Sequence, residues 1–459
     1  MENQPKNHIF SVFFLVVVVV FILAGLKVSE NVAHAVYMTP INLFSQIEYQ
    51  DTVSTLPSPE TEKQPASTPS NIPDITTGND QLGIIKFNDY SKNKDGLHPF
   101  FRKLLNIKKL NKPVRIAYYG DSFIEGDILS GDLRFLFQKN FGGKGVGMMP
   151  VTSQVNGFRR TVIHQFSAWN TYTFNDYDKS KLGIAGNMCI PNQNAWVYYQ
   201  GAKKNCLDTF ERVSVFYTLP NNDTRVFYKK DKGTSIYAKL PKNDSIGRIN
   251  IDGNCNNIQI SFPPIDNLQV YGVSLEDTTG VILDNYSIRG FSGTGLQSLS
   301  QKKLSQFNNL LQYDLIILEY GLNITEAKRK DYTAYETEMV KTINHLKLSF
   351  PNASILLVGV SDRSYKENND YKTMPGILSM VEYQKNICQK TGIVFWNLFE
   401  AMGGKNSMPL FVNSIPPKAN KDYTHLTFAG GEYLGNLLYE TFMYEKKIFE
   451  KKNPHAMLK

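Results

Sequence analysis

An apolar run of β-branched and aromatic residues at 114–120 constrains the fold of this chain more than any other stretch. The run breaks at Gly120, and beyond Asp121 and Ser122 the apolar residues recur at roughly helical spacing as far as Gly142. This pattern predicts a buried strand that turns into a helix.

Strand-like and helix-like segments alternate from about residue 281 onward. Aliphatic runs predict strands at 283–288, 315–320, 354–359 and 393–397. Apolar residues at helical spacing predict helices at about 296–312, 331–350, 376–391 and 426–444, with an earlier one at 97–110. The alternation predicts an α/β fold with a parallel sheet, and a site is expected in the loops that follow the strands.

Ser122 is the candidate nucleophile, because a strand-to-helix turn lifts its hydroxyl out of the sheet. The turn would also direct backbone N–H groups, at the positive end of the next helix, toward an anion formed beside the serine. Asp and Ser are also ordinary turn and cap residues, so these letters alone leave a purely structural role open.

Asp422 and His425 form the second candidate group. An Asp placed three residues before a His can accept a hydrogen bond from the imidazole Nδ1, which leaves Nε2 free to take a proton from a serine. The alternative role of Asp422 is to cap the helix-like run that follows it.

Asn323 and Gly290 each follow a strand-like run. A carboxamide beyond the carboxyl end of a neighbouring strand can donate to the oxyanion of an ester intermediate, although Asn often only closes a turn. Gly290 lies in a glycine-rich segment whose backbone could approach the site, because glycine carries no obstructing side chain.

These segments, in this order, resemble the four sequence blocks of the SGNH (GDSL-like) hydrolases. The blocks of that family supply Ser, Gly, Asn and His, which match Ser122, Gly290, Asn323 and the pair Asp422 and His425. The resemblance implies an SGNH/flavodoxin-like three-layer domain with a parallel sheet. It also implies a catalytic triad of Ser122, Asp422 and His425 and an oxyanion hole at Ser122, Gly290 and Asn323.

Within that family the chain is most similar to the peptidoglycan O-acetylesterases. The shared features are the Gly-Asp-Ser opening at 120–122, the Gly-Asp pair at 126–127, the Gly-rich turn at 141–147 and a β-rich insertion between the first two blocks. Two positions depart from the pattern: Phe123 stands where that branch usually has His, and Ile324 where many relatives carry an acid. We expect the hydrogen bonding within these loops to differ from that of the relatives.

Short alternating stretches separated by Asn, Asp, Pro and Gly turns run from about residue 151 to 277 and predict a β-sandwich inserted in the α/β domain. In the resembling esterases this insertion looks like a carbohydrate-binding module. Five aromatic residues could stack on sugar rings or belong to the core: Trp169, Tyr172, Trp196, Tyr198 and Tyr199.

The uncharged run at 9–26 predicts an uncleaved signal anchor, since it is longer than a usual signal-peptide core and reaches the lower limit for spanning a bilayer. Cleavage near 33–35, which would give a secreted protein, is the alternative. Either outcome places most of the chain outside the cytoplasm, in the periplasm or at the cell surface. Residues 51–80 are rich in Pro, Ser and Thr and predict an extended tether.

The predicted organisation has six parts. They are a cytoplasmic tip and signal anchor at 1–30, an extracytoplasmic linker at 31–85, the first part of the hydrolase domain at 86–150, the β-rich insertion at 151–277, the second part of the hydrolase domain at 278–446 and a basic C-terminal tail at 447–459.

Charge and cysteine content bound the cofactors and partners. A formal net charge of +8 is modest for 459 residues, and the Lys and Arg residues are scattered, which argues against nucleic-acid binding. Export would permit a disulfide, for which Cys189–Cys206 is the predicted pair. No zinc-type spacing or His and carboxylate cluster indicates a metal site, and the predicted chemistry needs no cofactor. The sequence does not indicate an oligomeric state.

These features together predict an exported serine esterase that removes O-acetyl groups from a cell-wall polysaccharide. The O-acetyl group of muramic acid in peptidoglycan is the favoured substrate, because of the resemblance and because a tether gains local concentration only when its substrate is fixed within reach. The open alternatives are O-acetyl transfer to a glycan, deacetylation of another glycan such as xylan, and a non-catalytic glycan-binding protein.

Overall fold

The computed structural model describes residues 84–456, except residues 177, 204–205 and 266. The predicted signal anchor at 9–26 and the tether at 51–80 lie outside the described residues, so both stay predictions. Among the residues described, no helix combines the length and the apolar character that crossing a bilayer requires.

The elements of the described residues are numbered here in chain order. The strands are β1 (Asn88–Asp89), β2 (Val114–Gly120), β3 (Gly147–Met149), β4 (Val162–Tyr172), β5 (Met188–Gly201), β6 (Phe210–Leu219), β7 (Thr224–Lys230), β8 (Ile236–Leu240), β9 (Asn243–Cys255), β10 (Asn257–Phe262), β11 (Gln269–Glu276), β12 (Val281–Ser287), β13 (Tyr313–Glu319), β14 (Ser354–Val358), β15 (Ser364–Glu367), β16 (Asp370–Thr373) and β17 (Val394–Trp396). The helices are α1 (His98–Leu105), α2 (Ser130–Phe141), α3 (Gln301–Leu311), α4 (Thr333–Ser349), α5 (Pro375–Thr391), α6 (Leu398–Ala401), α7 (Ser407–Asn413) and α8 (Phe428–Lys452).

A six-stranded sheet in the order β1-β17-β14-β13-β2-β12 forms the centre of the α/β part. The five strands from β17 to β12 are parallel to one another, and the short β1 lies antiparallel to β17 at one edge. Every residue of β2 and β13 is buried, as expected for strands covered on both faces. The predicted α/β fold with parallel strands is confirmed.

The helices fall into two contacting groups. Helices α1 and α2 each pack against α8, whereas α3, α4 and α5 pack in sequence against each other. The three-layer arrangement implied by the family resemblance stays a prediction.

Helix α8 packs closely on the start of α2 through two glycines. A Cβ on Gly431 would lie 2.5 Å from the backbone nitrogen of Leu129, and a Cβ on Gly435 would lie 3.0 Å from its carbonyl oxygen. Because the first contact is too short for any side chain, this face of the helix requires glycine. The packing holds the beginning of α8, and therefore His425 three residues upstream, beside the loop that follows β2.

The β-rich region differs from the predicted β-sandwich, because its strands belong to one antiparallel sheet. The sheet has nine strands. Seven of them pair in the order β8-β7-β10-β5-β11-β6-β9, while β3 pairs with β11 and β4 pairs with β5. Strand β5 pairs with β11 at Cys189 and with β10 at 195–200, and Asn194 between them has a φ of 63°. The strands β8, β7 and β10 on one side of β5 and the strands β11, β6 and β9 on its other side therefore belong to one sheet and do not form two separate ones. Residues 241–242 join the two end strands, β8 and β9, which makes the sheet nearly barrel-like.

Buried ion pairs join the two sheets. Arg115 on β2 contacts Glu276 on β11, with Nη2 2.5 Å from Oε2, and Asp284 on β12, with Nη1 2.9 Å from Oδ2. A buried guanidinium is tolerated only when it is paired in this way.

The cysteines correct one further expectation, and the five aromatic residues differ in their burial. All four cysteines are free, so the predicted Cys189–Cys206 pair is wrong. Cys189 is buried in the β-rich core, with Sγ 3.6 Å from the hydroxyl oxygen of Thr171, whereas Cys206 lies in the loop before β6. Tyr199 is a fully buried core residue. Trp169 packs partly buried against the same core, whereas Tyr172 is exposed and Trp196 and Tyr198 are half-buried.

Candidate active site

Ser122 lies directly beyond β2, at the edge of the sheet that the sequence predicts. Gly120, the last residue of β2, pairs with Ser287 at the end of β12 and with Glu319 at the end of β13. The loops after these two neighbouring strands carry Gly290 and Asn323. Three of the four predicted segments therefore meet at one edge because their strands end in register.

The turn after Ser122 is longer than the sequence suggested. Helix α2 begins at Ser130, eight residues beyond the serine, and a short 3-10 turn at Glu125–Asp127 lies between them. Ser122 is therefore not followed directly by the helix, and the contribution of the helix end to the site stays a prediction. Gly126 and Asp127 both have positive φ, of 65° and 66°, and these left-handed residues bend the chain before the helix starts.

The predicted triad residues form a continuous hydrogen-bonded chain. Ser122 Oγ lies 3.1 Å from His425 Nε2, and His425 Nδ1 lies 2.7 Å from Asp422 Oδ2. The other carboxylate oxygen of Asp422 accepts hydrogen bonds from the backbone N–H groups of Thr424 and His425, each at 3.0 Å. Burial acts to raise the pKa of Asp422, but these hydrogen bonds outweigh burial and hold its pKa below the ordinary value. The carboxylate therefore stays ionised beside the imidazole.

Asp422 does not cap the following helix. The N-cap of α8 is Thr427, whose hydroxyl oxygen accepts from the backbone N–H of Gly430. Thr427 therefore has the capping role that was the alternative for Asp422. The carboxylate of Asp422 is hydrogen-bonded to His425 instead.

Asn323 donates both hydrogens of its amide within the site. Nδ2 lies 2.6 Å from Asp121 Oδ2 and 3.1 Å from the carbonyl oxygen of Phe291. Burial raises the pKa of Asp121 to about 6, against the hydrogen bond from the backbone N–H of Phe123. Asn323 could donate a hydrogen bond to an oxyanion only if it no longer donated to the carbonyl oxygen of Phe291.

Gly290 lies in the loop after β12 with a φ of 73°, and a Cβ built there meets nothing within 4 Å. The left-handed conformation favours glycine at this position, and the open space leaves the backbone of Gly290 unobstructed. The role of its N–H in an oxyanion hole stays a prediction.

Asp127 holds the loop after Ser122 in place through a buried network that the sequence analysis did not identify. Its carboxylate contacts Arg134 Nη1 at 2.9 Å and Arg159 Nη2 at 2.6 Å, and it accepts from Asn285 Nδ2 at 3.0 Å. Burial acts to raise the pKa of Asp127, but the two guanidinium groups hold it far below the usual range. The Gly-Asp pair at 126–127 was the available signal for a turn here, since Gly and Asp are typical turn residues.

A hairpin of β15 and β16 supports the loop that carries Asp422 and His425, and it too was not predicted. The rings of Tyr371 and Tyr423 stack with centroids 3.5 Å apart and planes inclined by 7°. The backbone N–H of Ser364 donates to the carbonyl oxygen of Tyr423 at 3.0 Å. Both contacts lie beside the triad, because Tyr423 stands between Asp422 and His425.

No protein-family model matches the sequence, and no curated protein matches it significantly. A solved structure described as a peptidoglycan O-acetylesterase in action is similar, with a TM-score of 0.66 and 19% sequence identity over 79% of this chain and 99% of the other. This chain has the fold of a peptidoglycan O-acetylesterase. The resemblance predicted from the four sequence segments is therefore confirmed at the level of the fold.

Carbohydrate esterases of family two are further neighbours of this O-acetylesterase-like chain. Those of Cellvibrio japonicus and Clostridium thermocellum have TM-scores of 0.26 and 0.27 and identities of 8% and 10%, each over 62% of this chain and 99% of the other. Similarity of this extent supports no conclusion about the site.

Proposed function

We propose that this protein is a serine esterase that removes O-acetyl groups from a cell-wall polysaccharide, with the O-acetyl group of peptidoglycan muramic acid as its substrate. The observation that carries the proposal is the hydrogen-bonded chain from Ser122 through His425 to Asp422, with heavy-atom distances of 3.1 Å and 2.7 Å. A nucleophile, a base and a group that orients the base are the minimum set for acyl transfer through serine.

In the proposed first half-reaction, Ser122 Oγ attacks the acetyl carbonyl carbon while His425 Nε2 takes the hydroxyl proton. Asp422 holds the imidazole with Nε2 toward the serine and stabilises the imidazolium that forms. The backbone N–H groups of Ser122 and Gly290 and the amide of Asn323 donate to the oxyanion. The bond between the acetyl carbon and the sugar oxygen then breaks, and the sugar oxygen receives the proton from His425.

The second half-reaction returns the enzyme to its starting state. His425 takes a proton from water, whose oxygen attacks the acetyl carbon bound to Ser122. The bond to Ser122 Oγ breaks, the serine recovers its proton from His425 and acetate leaves.

The peptidoglycan substrate is supported by the shared fold and by the predicted anchor and tether. The solved structure with this fold is described as a peptidoglycan O-acetylesterase. The predicted anchor at 9–26 and tether at 51–80 suit an immobile polymer above a membrane, because a tether raises the effective concentration only of a substrate within its reach.

The test compares the full-length protein with Ser122→Ala on O-acetylated peptidoglycan and on acetylated xylan, with released acetate as the readout. We expect acetate from peptidoglycan with the natural protein and a loss of about 10⁴-fold or more with Ser122→Ala. Rapid release from xylan with untouched peptidoglycan would overturn the substrate and leave the triad standing. Equal release by both proteins would overturn the proposed esterase.

A further inference from the structure

A cavity of about 600 Å³ lies between the carboxyl end of β12 and the β-rich region. One wall is the loop from Ser287 to Phe291, together with Glu125 and Gly126. The opposite wall comes from the loops at 152–155 and 173–175 and from Asn187. Its size falls in the range of about 300–1,000 Å³ typical of ligand sites.

The cavity adjoins the triad through residues already placed in the site. Gly126 is four residues beyond Ser122, and Gly290 and Phe291 belong to the loop whose carbonyl oxygen accepts a hydrogen bond from Asn323. The backbone N–H of Ile288 donates to the carbonyl oxygen of Gly120 at 2.9 Å, so this wall is fixed directly to the end of the strand that carries the nucleophile. A molecule in the cavity would therefore extend away from the reacting ester and toward the β-rich region.

Three amide side chains line the cavity on the side of the β-rich region: Gln154, Asn175 and Asn187. None of these amides is hydrogen-bonded within the part of the chain that the structure describes. Each can donate and accept at once, which is the pattern that sugar hydroxyl and acetamido groups offer in return. Asn187 is half-buried, so its side-chain amide would gain hydrogen-bond partners from a bound ligand.

An aromatic pair forms part of the same lining. The rings of Phe174 and Phe291 lie with centroids 4.7 Å apart and planes inclined by 32°. Phe174 comes from the β-rich region and Phe291 from the loop after β12, so the pair joins the two walls. Aromatic faces beside amides suit a sugar ring, which has apolar C–H faces and polar edges.

We propose that this cavity binds the glycan chain beyond the acetylated sugar, with Asn175 and Asn187 hydrogen-bonding to the sugar edges and the Phe174–Phe291 pair contacting a ring face. This inference rests on the proposed function, because the glycan is the substrate named there. It gives the β-rich region a direct part in substrate binding and makes recognition depend on chain length.

The test measures binding separately from catalysis. Full-length protein with Ser122→Ala is titrated with soluble O-acetylated peptidoglycan fragments, and the same titration is made after adding Asn175→Ala and Asn187→Ala together. Loss of two hydrogen bonds is expected to raise the Kd about 10-fold or more. Asn221→Ala, the same change at an exposed turn before β7, is the matched control and is expected to leave the Kd within about 2-fold.

Folding and function are separated by two further measurements. The melting temperature of each variant is recorded, to show whether it is folded. Gln154→Ala removes the third amide of the cavity lining without removing a hydrogen bond of the protein. An unchanged Kd in the double variant, an equal rise with Asn221→Ala, or no binding by the Ser122→Ala protein would overturn the cavity assignment. If the natural protein releases no acetate but the double variant binds the fragments more weakly, the esterase proposal fails and the cavity assignment stands.

Discussion

The amide of Asn323 donates to the carboxylate of Asp121, with Nδ2 2.6 Å from Oδ2. Asp121 immediately precedes the proposed nucleophile, so the residue before Ser122 orients the side chain predicted to face the oxyanion. The second amide hydrogen goes to the Phe291 carbonyl at 3.1 Å, and in the proposed reaction the oxyanion takes the place of that carbonyl.

Asn323→Ala is expected to lower kcat by about 10²–10³-fold, because one preorganised oxyanion donor is lost. The measurement is steady-state acetate release from O-acetylated peptidoglycan. Asn222→Ala, at an exposed turn in the β-rich region, is the control and is expected to retain the natural rate. An Asn323→Ala protein with undiminished turnover would remove Asn323 from the oxyanion hole.

Asp121 predicts a specific dependence of stability on pH. Burial raises its pKa in the folded protein to about 6, above the value near 4 of an unfolded Asp. Between these values the folded state holds a proton that the unfolded state has released, so the contribution of Asp121 to the free energy of unfolding falls as pH rises from about 4 to about 6.

Asp121→Asn is expected to lack this fall in the free energy of unfolding. The total fall is on the order of 3 kcal/mol for a pKa difference of about two units. Denaturant unfolding of both proteins at pH 4, 5, 6 and 7 gives the comparison. Asp244→Asn, at an exposed position in the β-rich region, is the control for the change itself. Parallel pH curves for the natural protein and Asp121→Asn would show that burial does not raise this pKa.

Asp422→Asn is expected to reduce kcat by about 10²–10⁴-fold, because an amide cannot stabilise the imidazolium of His425 and can hold the wrong tautomer. The hydrogen bond from His425 Nδ1 to Asp422 Oδ2, at 2.7 Å, is the interaction that the substitution changes. Asp331→Asn makes the same change before α4 and should keep the natural rate. A loss confined to KM would argue that Asp422 acts in substrate binding alone.

Asp127→Asn is expected to destabilise the protein by about 3–5 kcal/mol, because it leaves the buried Arg134 and the half-buried Arg159 without their carboxylate. Since the pKa of Asp127 is lowered in the folded protein, its contribution is fully present above the unfolded pKa near 4 and is lost only as pH falls further. The difference in unfolding free energy between the two proteins should therefore be constant from pH 8 to about pH 5. A difference that disappears near neutral pH would contradict the charged network.

Tyr371→Ala removes the ring that stacks on Tyr423 between Asp422 and His425. An aromatic pair contributes about 0.5–1.5 kcal/mol, so we expect kcat to fall several-fold with little change in KM. Tyr371→Phe keeps the ring and should restore the rate. Tyr237→Ala, at an exposed position on β8, controls for loss of a surface ring. Equal kinetics of Tyr371→Ala and the natural protein would show that the hairpin does not position the triad.

Local sequence patterns were sufficient for the strands that carry the site. The predicted ends of β12, β13, β14 and β17 lie within two residues of those observed, because strands buried on both faces read as unbroken apolar runs. The close spacing of Asp422 and His425 was equally readable, since their contact lies within one turn of chain.

Contacts between distant segments could not be read in this way. The pairing of Asn323 with Asp121 joins residues 202 positions apart, and the Tyr371–Tyr423 stack depends on a hairpin with exposed, weakly patterned strands. The single sheet of the β-rich region depends on which strands β5 pairs with along its length. Alternation within a strand shows which side chains point inward but does not identify its neighbours.

By itself the sequence determined the order of the parallel strands and long helices of the α/β part and the residue types Ser, His, Asp and Asn at the ends of their segments. The tertiary structure alone decided that Ser122 lies 3.1 Å from His425, that α2 begins eight residues after Ser122 and that a cavity opens beside Gly290. The physical reason is range: periodicity and turn chemistry act over a few residues, whereas the site is assembled by strand register and by the close packing of α8 on α2.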